Sequence, residues 1–233
     1  MKIKKIIKKI IFFFKRLFLP TLQRQIDSKS LTPISSKFGF DFGTPIDRVY
    51  TNDFLAKNSH HIKGIVCEIA ENTYTREFGK NVVKSEILHV DPNFSTATII
   101  GDLTNHKILP KNYLDCFIAT VTLNFIYDYK KAIQGIHQML KGGGVALISV
   151  AGLLQISRYD YERWGDYWRF TDMGIKQVFE EIFGNEVECH TYGNIYSAMA
   201  SLQGMPAEKL TNEELFFHDP DYQILITLVA KKQ

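Results

Sequence analysis

The feature that most constrains this chain is a series of short, nearly continuous apolar runs, most of them bounded by a carboxylate. Gly64-Ile65-Val66-Cys67-Glu68-Ile69, Glu86-Ile87-Leu88-His89-Val90-Asp91 and Ala97-Thr98-Ile99-Ile100-Gly101-Asp102 come first. Asp115-Cys116-Phe117-Ile118-Ala119-Thr120 and Gly144-Val145-Ala146-Leu147-Ile148-Ser149-Val150 follow, then runs over Val187 to Tyr192 and Tyr222 to Ala230. Strands buried on both faces read this way, without polar alternation. Helical stretches lie between them. Tyr129 to Leu140 is expected to end on Gly142-Gly143-Gly144, and Phe170 to Phe183 has Thr171 as a candidate N-cap. Thr44-Pro45-Ile46-Asp47 reads as another helix start, and Thr211-Asn212-Glu213-Glu214 as a capping box. Strands alternating with helices predict an α/β fold, a doubly wound and mostly parallel seven-stranded sheet.

Charge divides the chain differently. The 233 residues carry 28 Lys plus Arg against 25 Asp plus Glu, a net +3 that predicts no particular partner. Eight of the basic residues (Lys2, Lys4, Lys5, Lys8, Lys9, Lys15, Arg16 and Arg24) fall in the first 24 positions, which hold no acid. The rest of the chain therefore has 20 basic and 25 acidic residues, a net −5. Within the arm, Ile3, Ile6, Ile7, Ile10, Phe14, Leu17 and Phe18 recur at helical spacing and make one apolar stripe. The run is too short to span a bilayer and is interrupted by Lys15-Arg16, so a basic amphipathic N-terminal helix lying in an anionic membrane surface is expected. Residues 1–20 form this arm, 21–43 a Ser-, Pro- and Gly-punctuated linker, and 44–233 the body. Cys67, Cys116 and Cys189 show neither paired nor zinc-like spacing and read as reduced, buried thiols.

In doubly wound sheets, ligands sit outside the carboxyl ends of the strands. Glu68, Asp91 and Asp102 are all expected on that edge. A carboxylate after the second strand suits two ribose hydroxyls, and one after the third, followed by Leu103, suits an adenine amino group. The first loop, Ile69-Ala70-Glu71-Asn72-Thr73-Tyr74, has no glycine with which to approach a pyrophosphate. An adenosine ligand without a phosphate chain remains, which suggests S-adenosylmethionine.

These residues carry a resemblance. From Gly64 to Val150, with Glu68, "HVDP", "GDL", Asp115 and "LKGGG", the chain resembles a class I S-adenosylmethionine-dependent methyltransferase. That family has a Rossmann-like methyltransferase sheet. The resemblance implies cofactor-binding roles for Glu68, Ala70, Asn72, Thr73, Tyr74, Asp91, Asp102, Leu103 and Asn124. The family's first loop ordinarily contains glycines, and here Ala70, Asn72 and Thr73 replace them. "CEIAENTYTREFG", "ISRYDYERWGDYWRFT" and "FHDPDY" are similar to a bacterial methyltransferase branch associated with glycosyltransferases of surface-polysaccharide synthesis. A glycosyltransferase partner is what that similarity implies.

The segment from Arg158 to Thr171 holds both tryptophans and alternates aromatic with charged residues. Tyr127, Arg158, Trp164, Tyr167, Trp168 and Arg169 are candidate acceptor-binding residues, since rings bind sugar faces and charged groups bind hydroxyls or phosphate. Asp160 and Asp166 are candidate bases, if burial beside a tryptophan raises their pKa, and His218 in "FHDPDY" is a third catalytic candidate. The expected activity is methyl transfer to a hydroxyl of a sugar or glycolipid precursor at the cytosolic membrane face. A lipid or quinone-like acceptor, or a catalytically silent cofactor-binding module, are the alternatives. The net negative body argues against nucleic acid as a partner. No metal site is expected.

Overall fold

The computed structural model describes residues 29–233. The arm expected over residues 1–20 and the start of the linker lie outside the described residues. The chain folds as two compact units that interleave in sequence. One comprises residues 51–152, 156–191 and 225–233; the other comprises the described residues up to 50 together with 153–155 and 192–224.

The first of these units contains the sheet. β1 (Gly64–Ile69), β2 (Val82–His89), β3 (Ile99–Ile100), β4 (Leu114–Thr120), β5 (Leu140–Ala151), β6 (Val187–Tyr192) and β7 (Leu225–Lys231) stand in the order β3-β2-β1-β4-β5-β7-β6. The pairs from β3 to β5 are parallel, and β7 runs antiparallel to β5, with Leu147 opposite Val229. β1 is flanked by β2 on one side and β4 on the other, so the strand order reverses between β1 and β4. A ligand crevice forms at such a reversal because the loops leaving the two strands turn in opposite directions.

The core of this unit is built from Cys67, Leu88, Phe117, Ala119, Ala146 and Ile148 on the strands. Ala132, Ile133, Ile136 and Met139 of the helix Tyr129–Met139 cover it, with Ile175, Val178, Phe179 and Phe183 of the helix Asp172–Phe183. Thr171 caps the latter helix as its sequence suggests, its hydroxyl accepting from the Gly174 amide at 3.3 Å. Cys67 and Cys116 are buried and Cys189 is half-buried; all three are free thiols whose pKa burial pushes up, that of Cys189 to about 11.

The structure corrects five expected boundaries. Gly142-Gly143-Gly144 does not cap a helix: the preceding helix ends at Met139, and the glycines belong to β5. Gly143 adopts φ +80° and its amide donates to the Lys232 carbonyl at 2.7 Å, so the C-terminal tail pairs there. A Cβ on Gly144 would lie 2.9 Å from the Leu114 carbonyl, which explains the small residue at that point. The third strand shrinks to Ile99–Ile100, and β2 ends at His89, before Asp91. The last strand starts at Leu225 rather than Tyr222. Thr44 is not an N-cap acceptor; the helix Ile46–Lys57 begins beyond it, and the Thr44 hydroxyl donates to Glu208 at 2.7 Å.

The second unit is held by local polar ties. Asn194 caps the helix Ile195–Leu202 in a capping box with Ser197, and its Nδ2 donates to the carbonyls of Glu214 and Phe217. Tyr50 is fully buried, stacks on Tyr192 at 5.1 Å and donates to the Leu215 carbonyl. The capping box at Thr211 and Glu214 is present as its sequence suggests.

Candidate cofactor and acceptor site

Glu68 is the penultimate residue of β1, with its side chain buried. Its carboxylate accepts the Tyr74 amide at 3.1 Å and the Thr75 amide at 2.5 Å, the first-turn donors of the short helix Thr73–Phe78. A free helix N-terminus is rich in unsatisfied N–H groups, so an acid arriving from the strand fixes the loop between them. Burial raises the Glu68 pKa in spite of these bonds. Glu68 thus shapes the first loop. Within that loop Ala70 sits at φ +63°, a left-handed conformation that glycine adopts freely and alanine does not. The loop therefore makes a left-handed turn without a glycine. Asn72 ties the same loop to β2 through Ser85 Oγ at 3.0 Å, Thr73 donates to Glu71, and Tyr74 is buried.

A second left-handed residue follows β4. Val121 has φ +47°, and its amide donates to the Ser149 carbonyl at 2.8 Å. A β-branched residue in this region is strained, and such strain persists where the surrounding structure holds it. It falls beside the strand-order reversal, as does Ala70. Asn124, three residues on, is buried with its Oδ1 unpartnered among the described residues.

Asp91 and Asp102 behave differently from Glu68. Both are exposed. Asp91 Oδ1 accepts from the Asn93 amide and side chain, and Asp102 Oδ1 from the Thr104 amide and hydroxyl. In each, Oδ2 accepts no hydrogen bond among the described residues. Leu103 is buried beside Asp102. Its carbonyl lies 2.1 Å from where a Gly135 Cβ would stand, so Gly135 lets this loop approach the helix Tyr129–Met139.

His89 and Phe94 join this edge although the residue pattern did not single them out. The Asp91-Pro92-Asn93 turn folds Phe94 back so that its ring stacks on His89 at 3.9 Å. His89 Nδ1 accepts the Asp91 amide at 3.0 Å, leaving Nε2 to carry the proton of the neutral ring. Trp164 approaches His89 edge-on at 5.9 Å. The signal available in the sequence was the turn-forming "DPN" directly before an aromatic residue.

The segment after β5 is ordered by its own acids. The Ser157 hydroxyl donates to Asp160 Oδ2 at 2.6 Å, and the Asp160 Oδ1 has no partner among the described residues. Asp166 is the opposite case. Its side chain is 1% exposed, and Arg169 grips both oxygens, Nη1 on Oδ1 at 2.5 Å and Nη2 on Oδ2 at 2.9 Å. The Ser157 amide adds a third bond. Burial by itself raises the Asp166 pKa, but Arg169, Ser157 and Asn124 outweigh it and hold the carboxyl below the usual aspartate range. The expected raised pKa is therefore corrected at Asp166, and with it the residue's suitability as a base. Arg169 is correspondingly committed to Asp166.

The aromatic residues form a continuous wall. Tyr127 contacts Tyr167 at 5.5 Å and Trp168 at 5.9 Å; Trp168 in turn meets Tyr129, which meets Phe170 at 5.2 Å. Trp168 Nε1 donates to the Tyr127 carbonyl, and the Asn124 carbonyl accepts the Tyr167 amide. Tyr127 and Tyr167 remain exposed. Arg158 lies over the Tyr161 ring at 5.0 Å. His218, by contrast, belongs to the second unit, in the exposed loop after the helix Asn212–Phe216.

Comparison with solved structures places this architecture. A methyltransferase of Thermotoga maritima, described as S-adenosylmethionine-dependent and a possible histamine N-methyltransferase, matches with a TM-score of 0.54 and 12% identity over 81% of this chain and 92% of its own. An S-adenosylmethionine-dependent methyltransferase of Archaeoglobus fulgidus matches at 0.52 with 14% identity, covering 79% and 94%. One from Mesorhizobium loti matches at 0.50 with 13% identity, covering 80% and 98%. The fold is that of class I S-adenosylmethionine-dependent methyltransferases. No family model matches the sequence, and no curated protein does.

Proposed function

We propose that the protein binds S-adenosylmethionine at the carboxyl edge of β1, β2 and β4 and transfers its methyl group to a hydroxyl of a sugar or glycolipid precursor. The observation that carries this reading is the pair of half-satisfied carboxylates, Asp91 and Asp102, which follow β2 and β3 on the carboxyl edge of a methyltransferase fold. A carboxylate with a free oxygen and no cationic partner suits ribose hydroxyls and an adenine amine. The left-handed turn at Ala70 and the orphaned Asn124 Oδ1 fit a polar ligand at the ends of β1 and β4.

When bound, S-adenosylmethionine supplies an electrophilic methyl group on a sulfonium. The chain's part is to position the acceptor and take its proton. Tyr127, Tyr167 and Trp168 offer a ring surface for a sugar face, with Arg158 at the start of the same segment. Asp160 is the base in this reading, held through Ser157 with one oxygen free. The basic arm of residues 1–20 holds the protein on an anionic membrane, where glycosyltransferase partners and lipid-linked acceptors reside.

Calorimetry with S-adenosylmethionine and S-adenosylhomocysteine tests the first step; absence of saturable heat at millimolar ligand rules the enzyme reading out. If the cofactor binds, methyl incorporation into sugar and glycolipid acceptors tests the second. Cofactor binding with no transfer to any hydroxyl acceptor favours a silent module instead.

A further inference from the structure

The helix Ile195–Leu202 is amphipathic in the wrong sense for a core helix. Its small and polar residues Ser197, Ala198, Ala200 and Ser201 are buried, while its large apolar residues face outward. Ile195, Met199 and Leu202 expose 48%, 37% and 47% of their surface. At i, i+4 and i+7 they lie along one face. No Asp, Glu, Lys, Arg or His occurs from Gly193 to Ala207, so the sequence around this face is uncharged.

The chain itself indicates what meets this face. The amides of Ile34 and Ser35 both donate to the Gln203 carbonyl, at 2.8 and 3.1 Å, at the end of the same helix. A Cβ on Gly204 would stand 2.1 Å from the Ser35 carbonyl, so the segment lies directly against the helix terminus. Leu31, three residues earlier, is fully exposed. The described chain begins two residues before that, and the preceding 28 residues carry the eight clustered basic side chains and the apolar stripe. The described chain thus begins near the end of this helix, and the basic arm precedes it in sequence.

We infer that the face of Ile195, Met199 and Leu202 inserts into the anionic lipid surface that the basic arm finds. The inference rests on the membrane reading of the arm and adds a second contact, made by the folded body. Lysines of the arm supply a long-range attraction that salt screens, whereas the three apolar side chains supply burial that salt does not weaken. Two separate contacts also restrain how the second unit lies on the membrane, which an arm on a linker does not.

The full-length protein is sedimented with phosphatidylcholine vesicles, with and without phosphatidylglycerol, at low and high salt. Met199→Ser with Leu202→Ser is expected to lower partitioning about tenfold on anionic vesicles at both salt concentrations. A second variant, Lys4→Gln, Lys5→Gln, Lys8→Gln and Lys9→Gln, is expected to lower it mainly at low salt. Circular dichroism and cofactor titration show that each variant is folded. Wild-type partitioning by the serine variant, with loss in the lysine variant, overturns the inference and leaves the arm reading standing. No sedimentation of the wild type overturns both. Sedimentation equilibrium without vesicles covers the remaining occupant: a dimer that the serine variant dissociates assigns the face to a second copy and overturns the lipid contact.

Discussion

The two ends of the sheet strands treat their acids in opposite ways. Toward the amino ends, Asp115 accepts from Lys141 at 2.8 and 2.9 Å and from the Ile65 amide at 2.7 Å. Within β2, Glu86 accepts from Tyr113 at 2.6 Å and pairs with Lys84 at 2.7 Å. Beyond the carboxyl ends, Asp91 and Asp102 meet no cation among the described residues, and each keeps one oxygen free of hydrogen bonds there. Acids of the first kind have a cation supplied by the fold itself, although Glu86 Oε2 is buried without a hydrogen-bond partner among the described residues. Those of the second kind are left for something the fold does not contain. Glu68 stands on the ligand edge yet is saturated by backbone amides, so its position alone does not decide its role.

Substitutions separate the two classes. The largest expected effect is at Glu68, where Glu68→Ala orphans two buried amides and costs about 3 kcal/mol of stability, read by chemical denaturation. Asp91→Ala should leave stability within about 0.5 kcal/mol yet weaken S-adenosylmethionine about 30-fold, the worth of a lost charge-assisted contact. An unchanged affinity by calorimetry would remove Asp91 from the site. Lys141→Met should do the reverse, costing at most about 1 kcal/mol of stability with cofactor affinity intact.

Acid titration sharpens the same contrast. Asp115 and Asp166 both have folded pKa values below their unfolded ones: burial opposes ionisation, and the partners outweigh it. Their contribution to stability is complete above about pH 3.9, the unfolded aspartate value, and is lost as pH falls through the folded value. Asp166→Asn should therefore flatten the acid limb of the stability curve. Glu68, with its raised folded pKa, works in the other direction: its share of stability increases as pH falls toward the unfolded glutamate value. The smallest effect is at Ala70. Ala70→Gly should relieve the left-handed strain and raise stability by about 0.5 kcal/mol, without loss of cofactor affinity. A destabilised variant would show that the φ of Ala70 carries no strain.

Much of this was legible in the residues because apolar periodicity acts locally. β1 and β6 have the limits read from their apolar runs, and Thr171 and Thr211 cap the helices they precede. Boundaries failed where long-range pairing decided them. Gly142 to Gly144 look like a turn, and become strand because the tail at Lys232 pairs with them. Within the segment after β5, Asp160 and Asp166 look equivalent, six positions apart among the same aromatic residues. Only the placement of Arg169 and of the Ser157 amide gave one a clamp and left the other with a free oxygen.

The order of strands and helices, and the acids that follow the strands, were determined by the sequence alone, because apolar runs and caps depend on near neighbours. Which acids are spent and which remain available was decided by the tertiary structure. The state of a carboxylate depends on the donors that arrive from distant parts of the chain, and no local pattern encodes their arrival. The same reason holds for Ile195, Met199 and Leu202. The residue pattern did not single out the helix Ile195–Leu202, and only packing shows that its apolar side is the one left outside.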